Sequence, residues 1–287
     1  MKQTNIAITR LHPFAGNPYQ IRDDPEMDAL IESIQEYGIY TPLIVRPMEE
    51  QENEYEVISG HRRLHAAKKA GLSEVPALLY TLDRDAAAIA VVDSNLHREH
   101  ILPSEKAFAY KMKLDVLKKQ GKRTDLTSSQ IATKFNAAAQ VGADTGESRD
   151  QVYRYIRLTK LVPPLLNLVD EGRIAFSVAV ELSSLYQAAQ EHLAELIDRD
   201  EMTPSYSQAV RMHKENDLSI VGISDERVDE IMAEQKPNQK EQIRLRRDEF
   251  SRFFPAHYSD RQIRDDIIAG LDLLKRQRER SRERDTR

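Results

Sequence analysis

The segment "SGHRRLHAAKKAG", residues 59–71, concentrates positive charge where a short apolar run ends and a helical pattern begins. The first N–H groups of a helix lack helical acceptors and carry a partial positive charge, so a helix start after a glycine can bind an anion. Arg62 and Arg63 add planar donor groups that suit phosphate. Cations in a first turn oppose the helix dipole, and a bound anion would relieve that conflict.

The alternative for this segment is a basic helix start that faces water. The sequence contains no "GxxxxGK[ST]" motif, so the anion site would not be a Walker-type loop.

Two further polar segments can meet this helix start. "GIYTPLIVRP" (38–47) brings Thr41 and Arg46 to the edges of a predicted strand, and "DSNLHREH" (93–100) gathers polar and charged side chains at a helix end. Carboxylate and amide oxygens beside phosphates are what a magnesium ion binds. Each segment taken alone is also compatible with an ordinary polar loop.

A small mixed domain is predicted to position these segments, because strand-like runs alternate with helical patterns in the first hundred residues. The predicted strands are "NIAITRL", "TPLIVRP", "YEVISG" and "SEVPALLYT", and the predicted helices are "PEMDALIESIQEYG", "RRLHAAKKAG" and "DAAAIAVVDSNLH". The fold class is therefore α+β, with a mixed domain over residues 1–102 followed by an all-helical domain over 103–215.

The remainder of the chain is predicted to be a linker and a C-terminal helix. Residues 216–240 are polar and weakly periodic, which favours a linker. Residues 241–287 are predicted to form an amphipathic, dimerising helical region with a basic tail, although a solvated helix end explains the tail equally well. The apolar stripe consists of Ile263, Ile267, Leu271 and Leu274.

"LTSSQIATKFN" and "ESRDQVYRYIRLTKL" fit the two helices of a helix-turn-helix, and the alternative is an ordinary amphipathic helix pair. In the second helix Val152 and Ile156 share one side, while Arg154 and Arg157 lie on the opposite side. Residues 137–147 are predicted to be a loop inserted between the helices. The candidate DNA-contacting residues are Ser129, Gln130, Ser148, Arg149, Asp150, Tyr153, Arg154, Arg157 and Lys160.

Composition excludes several classes of protein. The 287 residues include no cysteine, which excludes disulfides, thiol nucleophiles and cysteine-based metal sites. No apolar run approaches the ~20 residues of a membrane helix, so we expect a cytoplasmic protein without membrane contact. The net charge is −5, so a nucleic-acid interface would depend on local basic clusters such as 148–160. No serine nucleophile elbow is present to suggest a catalytic residue.

Four segments, in order, make residues 17–110 resemble the N-terminal domain of the ParB/RepB partition proteins. They are "NPYQIR", "GIYTPLIVRP", "YEVISGHRRLHAAKKAGLSEVPALL" and "SNLHREHILPSEKAFAY". A helix-turn-helix region follows this domain in that family, which extends the resemblance to about residue 185. The resemblance implies a domain that binds CTP with Mg²⁺, followed by a DNA-binding region.

The resemblance also assigns residues to the nucleotide site. By position these are Gln20, Arg22, Thr41, Gly60, His61, Arg62, Arg63, Ser94, Asn95 and Arg98, of which Asn95 would face the metal ion. His61 replaces the glutamate of the family's Gly-Glu-Arg-Arg segment and His65 replaces an arginine at its end, so the base preference is open. Ser94 replaces the acidic residue tied to nucleotide hydrolysis, so the resemblance implies nucleotide binding and at most a weak CTPase.

The resulting hypothesis is a dimeric partition protein in the cytoplasm, associated with the nucleoid. It would bind a specific site in double-stranded DNA, close around DNA as a CTP-gated clamp, and act with a ParA-type ATPase in plasmid or chromosome segregation. The alternatives are a repressor of a mobile element from the same family, a ParB-like nuclease, and an adaptor that uses its C-terminal helix. A nuclease would need a carboxylate cluster, which the sequence does not clearly place.

Overall fold

The computed structural model describes the chain from residue 2 to residue 234 with short gaps, and scattered residues beyond. The described residues are 2–49, 51–96, 98, 100–124, 130–234, 253–254, 258–259, 262–263, 265–271 and 273–275. Met1–Glu234 form one compact unit and Gln235–Arg287 a second. Thus the predicted 1–102 and 103–215 domains fall within one unit.

Five strands form one mixed sheet. They are β1 Lys2–Ala7, β2 Leu11–Pro13, β3 Leu43–Pro47, β4 Tyr55–Ser59 and β5 Glu74–Leu79. Their order is β1-β5-β3-β4-β2, with β1/β5 and β3/β4 antiparallel and β3/β5 and β2/β4 parallel. Leu43, Val45 and Val57 in the central strands are fully buried, so these strands appear in the sequence as short apolar runs. The predicted mixed α/β arrangement is confirmed.

Three helices accompany the sheet, and local signals set their ends. They are α1 Pro25–Tyr37, α2 His61–Lys69 and α3 Arg84–Asp93. Asp24 caps α1 by accepting a hydrogen bond from the Met27 N–H at 2.8 Å, and Pro25 occupies the first helical position. Gly38 ends α1 with a φ of 73°, a conformation that favours glycine.

The helical part that follows has its own core. Its helices are α4 Pro103–Thr124, α5 Gln130–Thr145, α6 Arg149–Arg157, α7 Pro163–Asp170, α8 Phe176–Leu182, α9 Gln187–Asp200, α10 Tyr206–Leu218 and α11 Asp225–Ala233. Leu165, Leu193, Met212 and Ile231 are fully buried where α7, α9, α10 and α11 pack together. Within the described ranges, no helix combines the length and the apolar character needed to cross a membrane.

One face of α4 connects the mixed domain to the helices that follow. Lys113 is 3% exposed, and its Nζ pairs with Asp93 at the end of α3 and, at 2.7 Å, with Asp144 of α5. Two turns earlier, Lys106 pairs with Glu147, which lies between α5 and α6. Because side chains at these spacings share a helix face, α4 holds α3 and the α5–α6 pair together.

The predicted inserted loop over residues 137–147 is wrong. Helix α5 continues through this segment to Thr145, and only residues 146–148 separate it from α6. The alanine and glycine content suggested a loop, but Ala138 and Val141 are fully buried beside α4 and α6. Alanine is the strongest helix former, so local propensity and burial together stabilise this helix despite Gly142.

The predicted linker over 216–240 is wrong for residues 216–234. Helix α10 runs into this segment and α11 lies within it, with Ile231 fully buried. In the last turn of α10, Asn216 is 2% exposed, and its carboxamide oxygen accepts the N–H groups of Tyr186 and Ile223, both at 3.4 Å. This part of the chain is folded.

The second unit contains helical backbone at residues 262–263, 265–271 and 273–275. Leu271 and Leu274 of the predicted apolar stripe are exposed. The basic tail (276–287) and the end of the predicted linker lie outside the described residues. Dimerisation through this region stays a prediction.

Candidate functional site

Gly60 forms the junction between β4 and α2. Its φ of 101° lies in the left-handed region, and a Cβ added there would come 3.1 Å from Leu43 Cγ. The first helical hydrogen bond runs from the Leu64 N–H to the Gly60 carbonyl at 2.9 Å. The N–H groups of residues 61–63 therefore precede the helical ladder and point out of the helix start, which suits an anion.

The two adjacent arginines have different partners. Arg63 donates to the carbonyl of Thr41 and, at 2.9 Å, to that of Pro42, so it fixes the "GIYTP" segment against α2. Burial lowers the pKa of Arg63. Arg62 forms longer ion pairs, at 3.2 Å with Asp24 and 3.4 Å with Glu26. Arg62 is the better placed of the two to exchange its partners for a ligand.

Arg98 brings the segment after α3 to the same helix start. Its guanidinium lies 5.6 Å from the ring centre of Tyr19. Desolvation lowers the pKa of Arg98, Glu105 and Tyr19 partly offset this, and the positive charge of Arg62 adds a smaller lowering. The charge of Arg98 also acts on His61. Three predicted nucleotide residues from two distant segments thus lie together, and two of them repel each other.

Ser94 and Asn95 are engaged with the end of α3. The Ser94 hydroxyl donates to the Val91 carbonyl at 3.1 Å, and the Asn95 amide donates to the same carbonyl at 2.8 Å. Asn95 is 5% exposed. In the described part of the chain, no group of three or more carboxylates or histidines is placed to hold a metal ion. The residues therefore do not fit a protein-built magnesium site; an ion here would depend on phosphate and water oxygens.

His61 is a buried, neutral residue. Burial lowers the pKa of its imidazole to about 4, and the positive charge of Arg98 contributes. Its Nε2 accepts the Phe14 N–H at 3.4 Å, so the ring proton lies on Nδ1, where it can donate to the Val57 carbonyl. At neutral pH this side chain supports the fold beneath the helix start and adds no charge to it.

Two of the remaining predicted nucleotide residues, Gln20 and Thr41, are exposed. Gln20 is fixed through its backbone N–H, which donates to Glu105 Oε1 at 2.8 Å, and Arg22 is exposed. His65 pairs with Asp23 at 2.9 Å.

Sequence reasoning missed the acidic residues that contact these segments, Asp23, Asp24 and Glu105. Asp24 before Pro25 is a recognisable helix-cap signal, so that residue could have been found. Glu105 bridges Gln20 to Leu102, and no local pattern announces such a contact.

Helices α5 and α6 meet through a tight turn. Gly146 adopts a φ of 71°, and Ser148 caps α6 by accepting the Gln151 N–H at 3.1 Å. A Cβ added at Gly142 would lie 2.4 Å from the Glu147 carbonyl oxygen, so glycine permits this close approach. The short turn is compatible with a helix-turn-helix.

The second of these helices separates its faces as predicted. Val152 is fully buried, whereas Arg154, Arg157 and Asp150 are exposed. Arg149 pairs with Asp150 at 2.9 Å. Tyr153 is partly buried and Lys160 is exposed just after the helix. Of the other predicted DNA contacts, Ser129 lies outside the described residues, and only the backbone of Gln130 is described.

Comparison with known proteins gives a consistent result. Residues 2–96 match the model of the ParB N-terminal domain. The probable chromosome-partitioning protein ParB of Mycobacterium leprae is 31% identical over 196 residues, which cover 68% of this chain and 54% of that protein. The probable chromosome 1-partitioning protein ParB of Deinococcus radiodurans is 34% identical over 175 residues, 61% of this chain and 53% of that protein. The chain spans about half the length of these relatives.

Solved structures of Caulobacter crescentus ParB, truncated at its C-terminus, are also similar. The complex with the centromeric parS site has a TM-score of 0.41 and 22% identity, covering 74% of this chain and 98% of that one. The complex with CTP-gamma-S has a TM-score of 0.33 and 25% identity, covering 69% and 99%.

Proposed function

Because residues 2–96 of this chain belong to the ParB N-terminal domain family, we propose that the chain is a sequence-specific DNA-binding partition protein gated by CTP. In this proposal the start of α2 binds the nucleotide, and the α5–α6 pair binds DNA. The partition names of its curated relatives support the role, and the fit of each site to its ligand supports the mechanism.

The observation that carries the nucleotide assignment is the convergence of Arg62 and Arg98. The pKa of Arg98 is lowered chiefly by desolvation, and the positive charge of Arg62 makes a smaller contribution in the same direction. A polyphosphate between them would neutralise both charges and accept the N–H groups at the start of α2. The "GIYTP" segment, held by Arg63, forms the neighbouring wall where the base would lie.

Binding rather than hydrolysis is the proposed signal. The Ser94 hydroxyl is occupied by the Val91 carbonyl and replaces the acidic residue that the family resemblance ties to hydrolysis. A nucleotide can shift the protein toward a closed form only by binding that form more tightly. In this proposal two copies, joined through the C-terminal region, close around DNA when nucleotide binds, and a ParA-type ATPase acts on the complex in the cytoplasm.

Nucleotide binding is tested by titrating the full chain with CTP, ATP, GTP and UTP in a calorimeter. Arg62→Ala and Arg98→Ala should each weaken CTP binding at least about tenfold, the loss of one charge-assisted contact. Lys68→Ala, at the far end of α2, is the control that removes equal charge and should bind normally. CTP affinity that is the same in all four proteins would contradict the assignment.

DNA binding is supported by the exposed basic side of α6, where Arg154 and Arg157 project from the last turn of the helix. When the natural chain is used to select from a library of random DNA duplexes, one sequence should be enriched. Arg157→Ala should weaken binding and reduce the dependence of log affinity on log salt by about one unit. Enrichment of no sequence would contradict sequence-specific binding.

A nuclease role has little support, because the described residues hold no cluster of three carboxylates or histidines suited to a metal ion. Cleavage of supercoiled DNA in Mg²⁺ by the purified chain would revive it.

A further inference from the structure

Five side chains from α4, α6 and α8 form a continuous stack. The Lys106 ammonium of α4 lies 4.7 Å from the ring centre of Tyr155. The Tyr155 ring lies 4.6 Å from that of Phe176, the first residue of α8, at an angle of 48°. The Arg154 guanidinium carbon lies 5.1 Å from the centre of the Phe176 ring. Tyr110 of α4 meets Tyr155 edge to face at 5.6 Å and closes the inner end of the stack.

The inner part of this stack is fixed. Tyr110 is fully buried, and Lys106 is held by its pair with Glu147 in the turn before α6. Phe176 is only partly buried, and Arg154, at the outer end, is exposed. The stack therefore connects the interior of the helical part to one exposed cation on the basic side of α6.

When a guanidinium lies over an aromatic ring, the flat face of the guanidinium contacts the ring. The N–H groups at the edge of the guanidinium can then still donate hydrogen bonds. Arg154 has a second tether, since its Nη1 donates to Gln151 Oε1 at 3.2 Å. A long, exposed arginine otherwise loses rotamer freedom when it binds a ligand, so holding it beforehand strengthens binding without adding a contact.

We infer that Phe176 is a positioning residue that orients Arg154 for DNA, although it lies outside the α5–α6 pair and does not itself need to contact DNA. The inference rests on the proposed DNA-binding function. It assigns α8 a part in recognition that the order of elements along the chain does not suggest.

The first test is a double-mutant cycle on the sequence that the natural chain selects. Phe176→Leu keeps an apolar side chain but removes the ring, and should weaken DNA binding about three- to tenfold. The same substitution in an Arg154→Ala background should have no further effect, because Phe176 acts through Arg154. Phe176→Tyr keeps the ring and should bind as the natural chain does.

A second test needs no DNA. Nitrogen-15 relaxation of the Arg154 Nε–H group should report a restricted side chain in the natural protein and in Phe176→Tyr, and a freely moving one in Phe176→Leu. Phe108→Leu, at an exposed ring on α4, controls for the loss of a surface phenylalanine. Urea unfolding of each variant confirms that the fold is retained.

The two tests separate the two claims. Equal Arg154 mobility in the natural chain and Phe176→Leu would overturn the positioning role, as would equal losses of DNA affinity with and without Arg154. If the natural chain selects no DNA sequence, the proposed function fails while the relaxation result still decides whether Phe176 orders Arg154.

Discussion

Acid should destabilise this fold through His61. The imidazole is buried and accepts the Phe14 N–H, so the folded protein favours its neutral form and lowers its pKa from 6.5 to about 4. The unfolded chain therefore binds a proton that the folded chain does not bind between these two values. Stability is unaffected above about pH 7, falls as the pH drops below 6.5, and levels off below about 4.

The magnitude follows from the difference between the two pKa values. At about 1.4 kcal/mol per pH unit, the full loss is about 3 kcal/mol, of which about 2.5 kcal/mol is reached by pH 4.5. Small domains have total stabilities of only about 5–15 kcal/mol, so one buried histidine would account for a large part of any acid sensitivity.

The assay compares urea unfolding of the natural chain and His61→Gln at pH 7.5, 6.5, 5.5 and 4.5. Glutamine can accept the Phe14 N–H but does not titrate, so effects of other groups cancel in the difference between the two proteins. That difference should shift in favour of the glutamine variant by about 2.5 kcal/mol between pH 7.5 and 4.5. A difference that stays constant with pH would refute the reasoning that His61 is held neutral by burial.

Three other substitutions test specific contacts within the residue 2–234 part of the fold. Gly60→Ala should lower the free energy of unfolding by about 1–3 kcal/mol, because its φ is 101° and the new Cβ meets Leu43. Gly71→Ala, also at positive φ but with nothing within 4 Å, is its control, and equal losses in urea would contradict the packing argument. Lys113→Met should lower the free energy of unfolding by about 2 kcal/mol more than Lys111→Met, its control on the exposed side of α4. The reason is that Asp93 and Asp144, which are about half exposed, would lose their cation. Equal melting temperatures of the two variants would contradict this. Asn216→Ala should lower the free energy of unfolding by about 2–3 kcal/mol and speed amide hydrogen exchange at Ile223. Unchanged exchange would show that the Asn216 carboxamide does not hold the loop before α11.

Local pattern predicted the mixed domain and the position of its basic helix start. The apolar runs of β3 and β4 and the glycine before α2 are short-range signals, so Gly60, Arg62 and Arg63 fall at the strand-to-helix junction as expected. The partners of these residues depend on contacts across the fold. No spacing along the chain indicates that Arg63 turns to the Thr41 and Pro42 carbonyls while Arg62 turns to Asp24.

The two errors in the helical part have different causes. The glycines in segment 137–147 favoured a loop, but its alanines are strong helix formers and its burial against α4 is not revealed by composition. Helix α11 did leave a signal: Ser224 caps it, and Val228 and Ile231 follow at helical spacing, but the polar residues around them favoured a linker.

The ionic contacts of α4 decide which helices must be exchanged together if the DNA specificity of one protein is to be transferred to another. Asp144 and Glu147 belong to the α5–turn–α6 segment, yet their cations, Lys113 and Lys106, belong to the helix before it. A chimaera that exchanges only α5 and α6 for those of another protein would leave Lys106 without its acid, and the buried Lys113 with Asp93 alone, unless the graft supplies both carboxylates. The α5–turn–α6 segment therefore cannot be exchanged by itself. A viable exchange would begin before Pro103, so that α4 is transferred together with the helices it anchors.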